Sequence, residues 1–157
     1  MATFHFKEST TASRDQFIAA LTDFGPGRSK LFGNSADGYL EVYDQSPGHA
    51  DVKEGSAGVW ERLSYDWSDP DRVTLTTTDS NAWGGSSGHT YTFSSDADGK
   101  TQIDYVVVRD PKNIKGRFLE LVLRTVGKGN LEKAFANFVK AVEARGAGAE
   151  ATRVGSA

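Results

Sequence analysis

The side chains best suited to chemistry in this chain are a histidine, an aspartate, several tyrosines and an arginine in its second half. Together they could remove a proton next to a carbonyl and stabilise the resulting enolate, which requires a general base and an oxyanion donor. His89 and Asp79 are the candidate bases. No catalytic motif connects them, so a simple structural role within a strand is the alternative for His89. The candidate donors are Tyr65, Tyr91, Tyr105 and Arg109.

The sequence gives little support for a metal site. Its 3 histidines have no helical or hairpin spacing to one another or to paired carboxylates. We interpret His5 and His49 as solvent-exposed, and Asp96 with Asp98 as a hairpin turn, because the later acidic ligands of a calcium loop are missing. The chain has no cysteine for a disulfide, a thiol nucleophile or a thiolate ligand. We therefore predict neither a metal nor a cofactor.

Composition and charge limit the classes of partner. A chain of 157 residues, 38% of them hydrophobic, fits one domain with a core. The net charge of -3, with both signs interspersed, indicates no basic surface for nucleic acid and no polybasic patch for anionic lipid headgroups. The first residues lack a secretory pattern, and no apolar run is long enough to span a bilayer. We expect a cytoplasmic protein that is not an integral membrane protein.

Strand and turn patterns dominate the chain up to residue 109. Alternating apolar residues predict a first strand over residues 3–8, and the capping-box spacing of Ser13 and Gln16 predicts a short helix that ends before residues 25–27. A second helical turn is expected over residues 29–32. Short turns between the later segments favour an antiparallel meander. The six further strands are predicted at residues 39–44, 50–54, 59–67, 72–79, 88–94 and 101–109.

The longest helical pattern covers residues 111–145. Its first apolar stripe recurs at three- and four-residue spacing, and a second stripe, which begins at Leu131, points in a different direction. We predict a kink or break over residues 127–130, where two glycines lie, with both stripes facing the interior. Residues 146–157 are rich in Gly and Ala and are predicted to be disordered. The first stripe consists of Ile114, Phe118, Leu121, Val122 and Val126.

Alternation along the predicted strands indicates which side chains face this helix. In the strands at residues 72–79, 88–94 and 101–109, the odd-numbered positions carry the apolar side chains. An inward face that mixes aromatic and polar groups is typical of a ligand cavity, since burying unpaired polar groups is costly. The alternative is that these polar groups pair with one another or lie at strand ends. The polar residues that the odd-number rule turns inward are Glu61, Thr77, Asp79, His89 and Arg109.

Two glycine-rich stretches do not indicate a phosphate site. Residues 83–88 lie between two antiparallel strands and residues 127–130 lie within the helical pattern, so neither is a strand-to-helix turn. We interpret them as a loop and a kink. Trp83, in the first of these stretches, is a candidate for a flexible rim over a cavity mouth.

Five stretches of the chain fit one known arrangement when they are taken in order. They are the early helix ending at residues 20–24, residues 58–67, the turn at residues 70–73, the turn at residues 98–101, and the amphipathic helix ending near Glu143. In this order they resemble the START-like (SRPBCC, helix-grip) superfamily, and more narrowly its polyketide cyclase/dehydrase and lipid-transport group. A glycine pair usual before the last strand is reduced here to Gly99.

The resemblance implies one α+β domain over residues 1–145 with the helix-grip fold. In that fold a seven-stranded antiparallel sheet curves around a long C-terminal helix, and two short helices lie between strands 1 and 2. Members hold lipids, sterols or polyketides in a cavity between sheet and helix; some catalyse cyclisation or dehydration, and others act through protein partners, as Hsp90 co-chaperone domains do.

The fold alone does not choose among these functions. We expect a hydrophobic small molecule as the ligand of a carrier or sensor. A cyclase/dehydratase-type enzyme that uses His89, Asp79 and Tyr105, and a protein-interaction module, are the alternatives. The predicted cavity lining is Leu63, Tyr65, Trp67, Leu75, Thr77, Trp83, His89, Tyr91, Tyr105, Val107, Phe118, Leu121 and Val122.

Overall fold

The sheet of this protein has seven antiparallel strands, as predicted. The structure is a computed structural model that describes the backbone of residues 1–155 and the side chains of residues 1–148. The strand order is β1-β7-β6-β5-β4-β3-β2, so the first strand pairs with the last and the others form a meander. The strands are β1 (Ala2–Thr10), β2 (Glu41–Ser46), β3 (His49–Ser56), β4 (Val59–Asp66), β5 (Arg72–Ser80), β6 (Gly88–Ser95) and β7 (Thr101–Arg109).

Two short helices between β1 and β2 confirm the predicted element order. The first begins at the predicted capping box, where the Ser13 hydroxyl accepts from the Gln16 amide at 3.1 Å and the Gln16 side chain accepts from the Ser13 amide at 2.9 Å. After the sheet, the helical segment covers one face of it. The helices are α1 (Arg14–Leu21), α2 (Arg28–Leu31), α3 (Ile114–Val122) and α4 (Lys128–Gly155), with a 3₁₀ turn at Asp37–Tyr39.

The predicted break in the terminal helix is a π-helical turn, Leu123–Gly127, which connects α3 to α4. A π turn holds more residues than an α turn, so it rotates the following helix relative to the preceding one. Gly127 is buried in this turn, and a Cβ there would lie 2.7 Å from Cδ2 of Leu123.

The second stripe packs into the core, as predicted. Phe135, Phe138 and Val142 of α4 are buried against α1 and the inner face of the sheet. The ring of Phe138 meets that of Phe17 edge-on, with centroids 5.0 Å apart, and stacks on Phe32 at 3.9 Å. These aromatic contacts hold α4 to α1 and to the residue that follows α2.

The prediction for the first stripe holds for Val122 and is wrong for its other four residues. Phe118 is 65% exposed and Leu121 is 60% exposed, and both point away from the sheet. The reason is Gly116, where an added Cβ would lie only 2.2 Å from the carbonyl oxygen of Ala82 in the β5–β6 loop. This close approach requires a residue without a side chain and fixes the rotation of α3 about its axis. Its inner surface is therefore formed by Leu119, Val122 and Leu123.

The backbone of α4 continues to Gly155, and residues 156–157 lie outside the described residues. The behaviour of the segment 146–157 in solution, for which the sequence predicts disorder, stays a prediction. Among residues 1–155, no helix combines the length and the apolar character that crossing a membrane requires.

Candidate ligand-binding cavity

A cavity of about 310 Å³ lies between the inner face of the sheet, α3 and the start of α4. This volume is at the lower end of the range for small-molecule sites. Strands β3 to β7 form its floor, and the segment after α2 forms one side. Its apolar wall consists of Leu21, Phe32, Val59, Leu63, Leu75, Leu119, Val122, Leu123 and Leu131.

Most of the predicted lining residues border this cavity: Leu63, Tyr65, Leu75, Trp83, His89, Tyr91, Tyr105 and Val122. Others lie elsewhere. Val107 lies in the core and Trp67 is half-buried against it. Thr77 is buried behind the cavity wall, where its hydroxyl donates to Glu61 at 2.8 Å. Phe118 and Leu121 face solvent.

Trp83 is buried and not an exposed rim residue, since only 4% of its surface is accessible. Its ring lies under the guanidinium of Arg109, with Cζ 5.2 Å from the ring centroid. A cation over an indole face is a favourable contact, so Trp83 stabilises the arginine that enters the cavity from β7.

A chain of polar side chains crosses the cavity floor from β4 to β7. Arg109 Nη1 donates to Oε2 of Glu61 at 3.0 Å, and its Nη2 lies 2.9 Å from Oε1 in the same ion pair. A second Arg109 contact joins Nη2 to Nε2 of His89 at 3.1 Å. On the other side of the ring, Nδ1 of His89 lies 2.7 Å from the hydroxyl of Tyr105. The odd-number rule predicted that these residues face inward, but their connection depends on the register of four strands.

The direction of these hydrogen bonds follows from their chemistry. A guanidinium can only donate, so Nε2 of His89 accepts and the ring proton is assigned to Nδ1. Nδ1 then donates to the oxygen of Tyr105, whose own proton remains available for an acceptor inside the cavity. We name this directed set of residues, Glu61, Arg109, His89 and Tyr105, the Tyr105 relay.

Protonation states agree with this direction. Burial, followed by the positive charge of Arg109, lowers the pKa of His89 to about 3, so the ring is neutral at neutral pH. Burial raises the pKa of Tyr105 to about 12, so the phenol keeps its proton. Burial has the largest single effect on Glu61 and would raise its pKa, but the charge of Arg109 and the hydrogen bonds from Thr77 and Arg109 act together against it, so that pKa lies below its usual value. The relay is therefore an ion pair followed by two neutral groups.

Asp79, the other candidate base, does not enter the cavity. The register of β4 and β5 pairs Leu63 with Thr77 and Arg62 with Asp79, so Thr78 is an extra residue that forms a β-bulge. The bulge reverses the alternation at this point and places Asp79 on the outer face of the sheet. There its carboxylate pairs with Lys112 Nζ at 3.2 Å. The prediction of an inward Asp79 is wrong.

A second polar cluster lies at the opposite side of the cavity and is formed around Arg28. Its Nε donates to Glu54 at 2.5 Å, and its Nη1 donates to the carbonyl oxygens of Leu21 and Asp23 at 3.0 and 2.7 Å. Its Nη2 donates to the hydroxyl of Tyr65 at 3.0 Å. Because its donors are engaged and its side chain is only 1% exposed, Arg28 fixes the segment after α1 against the sheet.

The remaining members of this cluster complete the coordination of Glu54. The hydroxyl of Tyr65 donates to one carboxylate oxygen and that of Ser35 donates to the other at 2.9 Å. Burial raises the pKa of Tyr65 well above its usual value, so this phenol also stays protonated. Tyr65 was predicted as an oxyanion donor, but its proton is held by Glu54.

Sequence reasoning missed Arg28, Ser35 and Glu54. Glu54 had a detectable signal, because it continues the alternation of the buried residues Ala50 and Val52 along β3. Arg28 had none, since its carboxylate partner is 26 residues away in sequence and only the packed fold brings them together.

Comparison with known proteins identifies similar folds among solved structures. No protein-family model matches the sequence, and a search of curated proteins found no match. Among solved structures, an aromatase/cyclase from Streptomyces sp. R1128 aligns with 92% of this chain and 94% of its own, at 13% identity and a TM-score of 0.70. A START superfamily protein from Mycobacterium smegmatis aligns over 91% and 95%, at 9% identity and a TM-score of 0.62.

A third similar structure is the Aha1 dimer from Colwellia psychrerythraea, with 91% and 94% coverage, 11% identity and a TM-score of 0.55. The fold is thus the helix-grip fold, as the sequence predicted, and the chain shares it with a START superfamily protein and with aromatase/cyclase structures. Identities this low establish the fold and leave the function to the site.

Proposed function

We propose that this chain binds a hydrophobic small molecule in the cavity between sheet and helix, as a carrier or sensor. The observation that carries the proposal is the combination of an apolar wall with the Tyr105 relay, which directs one phenolic proton into the cavity. Apolar walls supply affinity for the ligand, and a few fixed polar groups supply its orientation.

The charges around the cavity restrict the chemistry of the ligand. Glu54 is neutralised by Arg28 and Glu61 by Arg109, so the described wall offers no uncompensated charge to attract an ion. A neutral molecule that accepts a hydrogen bond fits better, because it takes the proton of Tyr105 without breaking an ion pair. Ketones, quinones, esters and lactones of a size suited to about 310 Å³ meet this description.

A cyclase/dehydratase-type enzyme is the second candidate, favoured by the likeness in fold to the Streptomyces aromatase/cyclase. Such an enzyme needs a general base beside its oxyanion donor. The lone pair of His89 is taken by Arg109, and Asp79 lies on the outer face. The arrangement therefore favours a binding function, because neither His89 nor Asp79, the bases predicted from the sequence, is placed to abstract a proton in the cavity.

Native mass spectrometry on protein purified gently from its own host tests the proposal. We expect a stoichiometric apolar compound to travel with the protein and to be released on denaturation. The matched control is Leu119→Trp, which fills the cavity from α3 with a side chain and should give an apo mass. An apo mass for both proteins, together with no uptake of added hydrophobic ketones, would contradict a carrier or sensor role.

A further inference from the structure

The outer surface of α3 carries an apolar stripe that covers nothing in the described structure. Ile114 is 86% exposed, Phe118 is 65% exposed and Leu121 is 60% exposed, and spacings of four and three residues place them on one side of the helix. Val126, in the π-helical turn, is 68% exposed. Contiguous exposed apolar residues of this size indicate an interaction surface.

The same segment is basic, although the chain as a whole is acidic. Residues 112–128 contain one acidic residue, Glu120, and the whole chain has a net charge of -3. The charges averaged over the chain predicted no polybasic patch, whereas this segment carries five basic residues against one acidic residue. Its basic residues are Lys112, Lys115, Arg117, Arg124 and Lys128.

The basic side chains flank the stripe on both sides. At 3.6 residues per turn, Arg117 and Arg124 lie along one side of it and Lys115 lies along the other. Arg124 pairs with Glu120 at 2.9 Å, so these two charges compensate each other. Within the described part of the chain, Arg117 and Lys128 make no ion pair, so their charge is available to an external partner.

We propose that this α3 surface, formed by the apolar stripe and its basic flanks, docks onto the interface of an anionic phospholipid bilayer. A helix with aromatic and aliphatic residues on one face and Lys/Arg beside them inserts its apolar face between headgroups while the cations contact lipid phosphates. The long basic side chains can extend toward the headgroups as the stripe goes deeper.

Docking through α3 would bring the cavity next to the bilayer. Leu119, Val122 and Leu123 line the cavity from the inner side of the segment whose outer side carries the stripe. An apolar ligand could then pass between the cavity and the lipid phase over a short path. This consequence rests on the proposed function, whereas the docking itself does not.

The charge pattern favours a membrane over a second copy of this chain. A symmetric contact between two α3 stripes would bring the basic flanks of both copies together, and like charges at an interface oppose association. Anionic lipid headgroups instead neutralise these charges and accept the apolar side chains at the same time.

Vesicle flotation tests the proposal, with phosphatidylcholine vesicles compared with vesicles of equal parts phosphatidylcholine and phosphatidylglycerol. We expect the protein to float with the mixed vesicles and to remain in solution with phosphatidylcholine alone, and added salt should weaken the binding. Phe118→Ser should reduce partitioning at least about tenfold through lost burial. Arg117→Glu should reduce it on the order of tenfold through charge reversal.

Val42→Ser is the matched control, because Val42 is a 43% exposed apolar residue on β2, away from α3. It should float like the unmodified protein. No flotation with the mixed vesicles, or an equal loss in Val42→Ser and Phe118→Ser, would overturn the proposal. A dimer that Phe118→Ser dissociates, seen by sedimentation velocity, would also overturn the proposal. A protein partner that binds through the stripe would overturn it as well. Because flotation requires no cavity ligand, its failure is distinguishable from an apo mass in the ligand experiment.

Discussion

Glu54 and Glu61 stand directly opposite each other on β3 and β4, and both side chains turn into the interior. Two like charges in this position destabilise a sheet. Here each carboxylate has its own arginine: Glu54 pairs with Arg28 at 2.5 Å and Glu61 pairs with Arg109 at 2.9 Å. Since Arg28 begins α2 and Arg109 ends β7, the two pairs tie both sides of the cavity to the same hairpin.

Removing one of these arginines should destabilise the protein strongly. Arg109→Met leaves Glu61 buried without its cation and opposite another carboxylate, so we expect the free energy of unfolding to fall by about 3–5 kcal/mol. Urea denaturation measures this. The double variant Glu61→Gln/Arg109→Met should recover a large part of the loss, because no isolated charge remains. A change below about 1 kcal/mol in Arg109→Met would show that the pair is not buried in solution.

Tyr105→Phe should weaken ligand binding and leave the fold intact. Prodan, a dimethylaminonaphthyl ketone with polarity-dependent fluorescence, is a suitable probe for the cavity. Loss of the hydrogen bond from Tyr105 should lower its affinity by roughly fivefold to tenfold. Dimethylaminonaphthalene, which lacks the ketone, should bind both proteins equally, and Tyr43→Phe on the exposed edge strand should bind Prodan normally. Equal Prodan affinity in the Tyr105→Phe variant would exclude Tyr105 as the donor.

Acid should destabilise the fold through His89. Its pKa is lowered from 6.5 to about 3 in the folded protein, so between these values the unfolded chain binds a proton that the folded chain does not. The free energy of unfolding therefore falls as pH falls through this window, by up to about 1.4 kcal/mol per pH unit. Glu61 acts in the same direction at lower pH, since its folded pKa is also lowered.

Urea denaturation at several pH values, with His89→Gln as the comparison, measures this linkage. The variant should lose about 2 kcal/mol less stability than the unmodified protein between about pH 7 and about pH 5, because it has no imidazole to protonate. Parallel pH profiles for the two proteins would mean that His89 is protonated as easily in the folded state as in the unfolded state.

Gly116→Ala should destabilise the contact between α3 and the β5–β6 loop. The new methyl group would lie 2.2 Å from the carbonyl oxygen of Ala82, so α3 must move away, at an expected cost of about 1–3 kcal/mol. Gly129→Ala is the control, since nothing lies within 4 Å of a Cβ there. It should stabilise α4 by about 0.5–1 kcal/mol, as the glycine lies in a helix. Thermal unfolding of both variants measures the contrast, and equal effects would contradict it.

The sequence determined the class of fold because its signals are local. Strand alternation, turn-forming residues and the capping box at Ser13 each act within a few residues, and together they predicted the seven strands, the two short helices and the terminal helix. Strand alternation also predicted that Glu61, His89 and Arg109 face inward, and these are three of the four residues of the Tyr105 relay.

Only the tertiary structure decided how these elements face one another. The bulge at Thr78 turned Asp79 outward, and the close approach of Gly116 to Ala82 turned Phe118 toward solvent. The Arg28–Glu54 pair likewise depends on chain segments that are distant in sequence. An apolar stripe or an alternating strand shows which side chains share a face. It does not show whether that face points toward the core or toward solvent, because this depends on which elements pack against it in the whole chain.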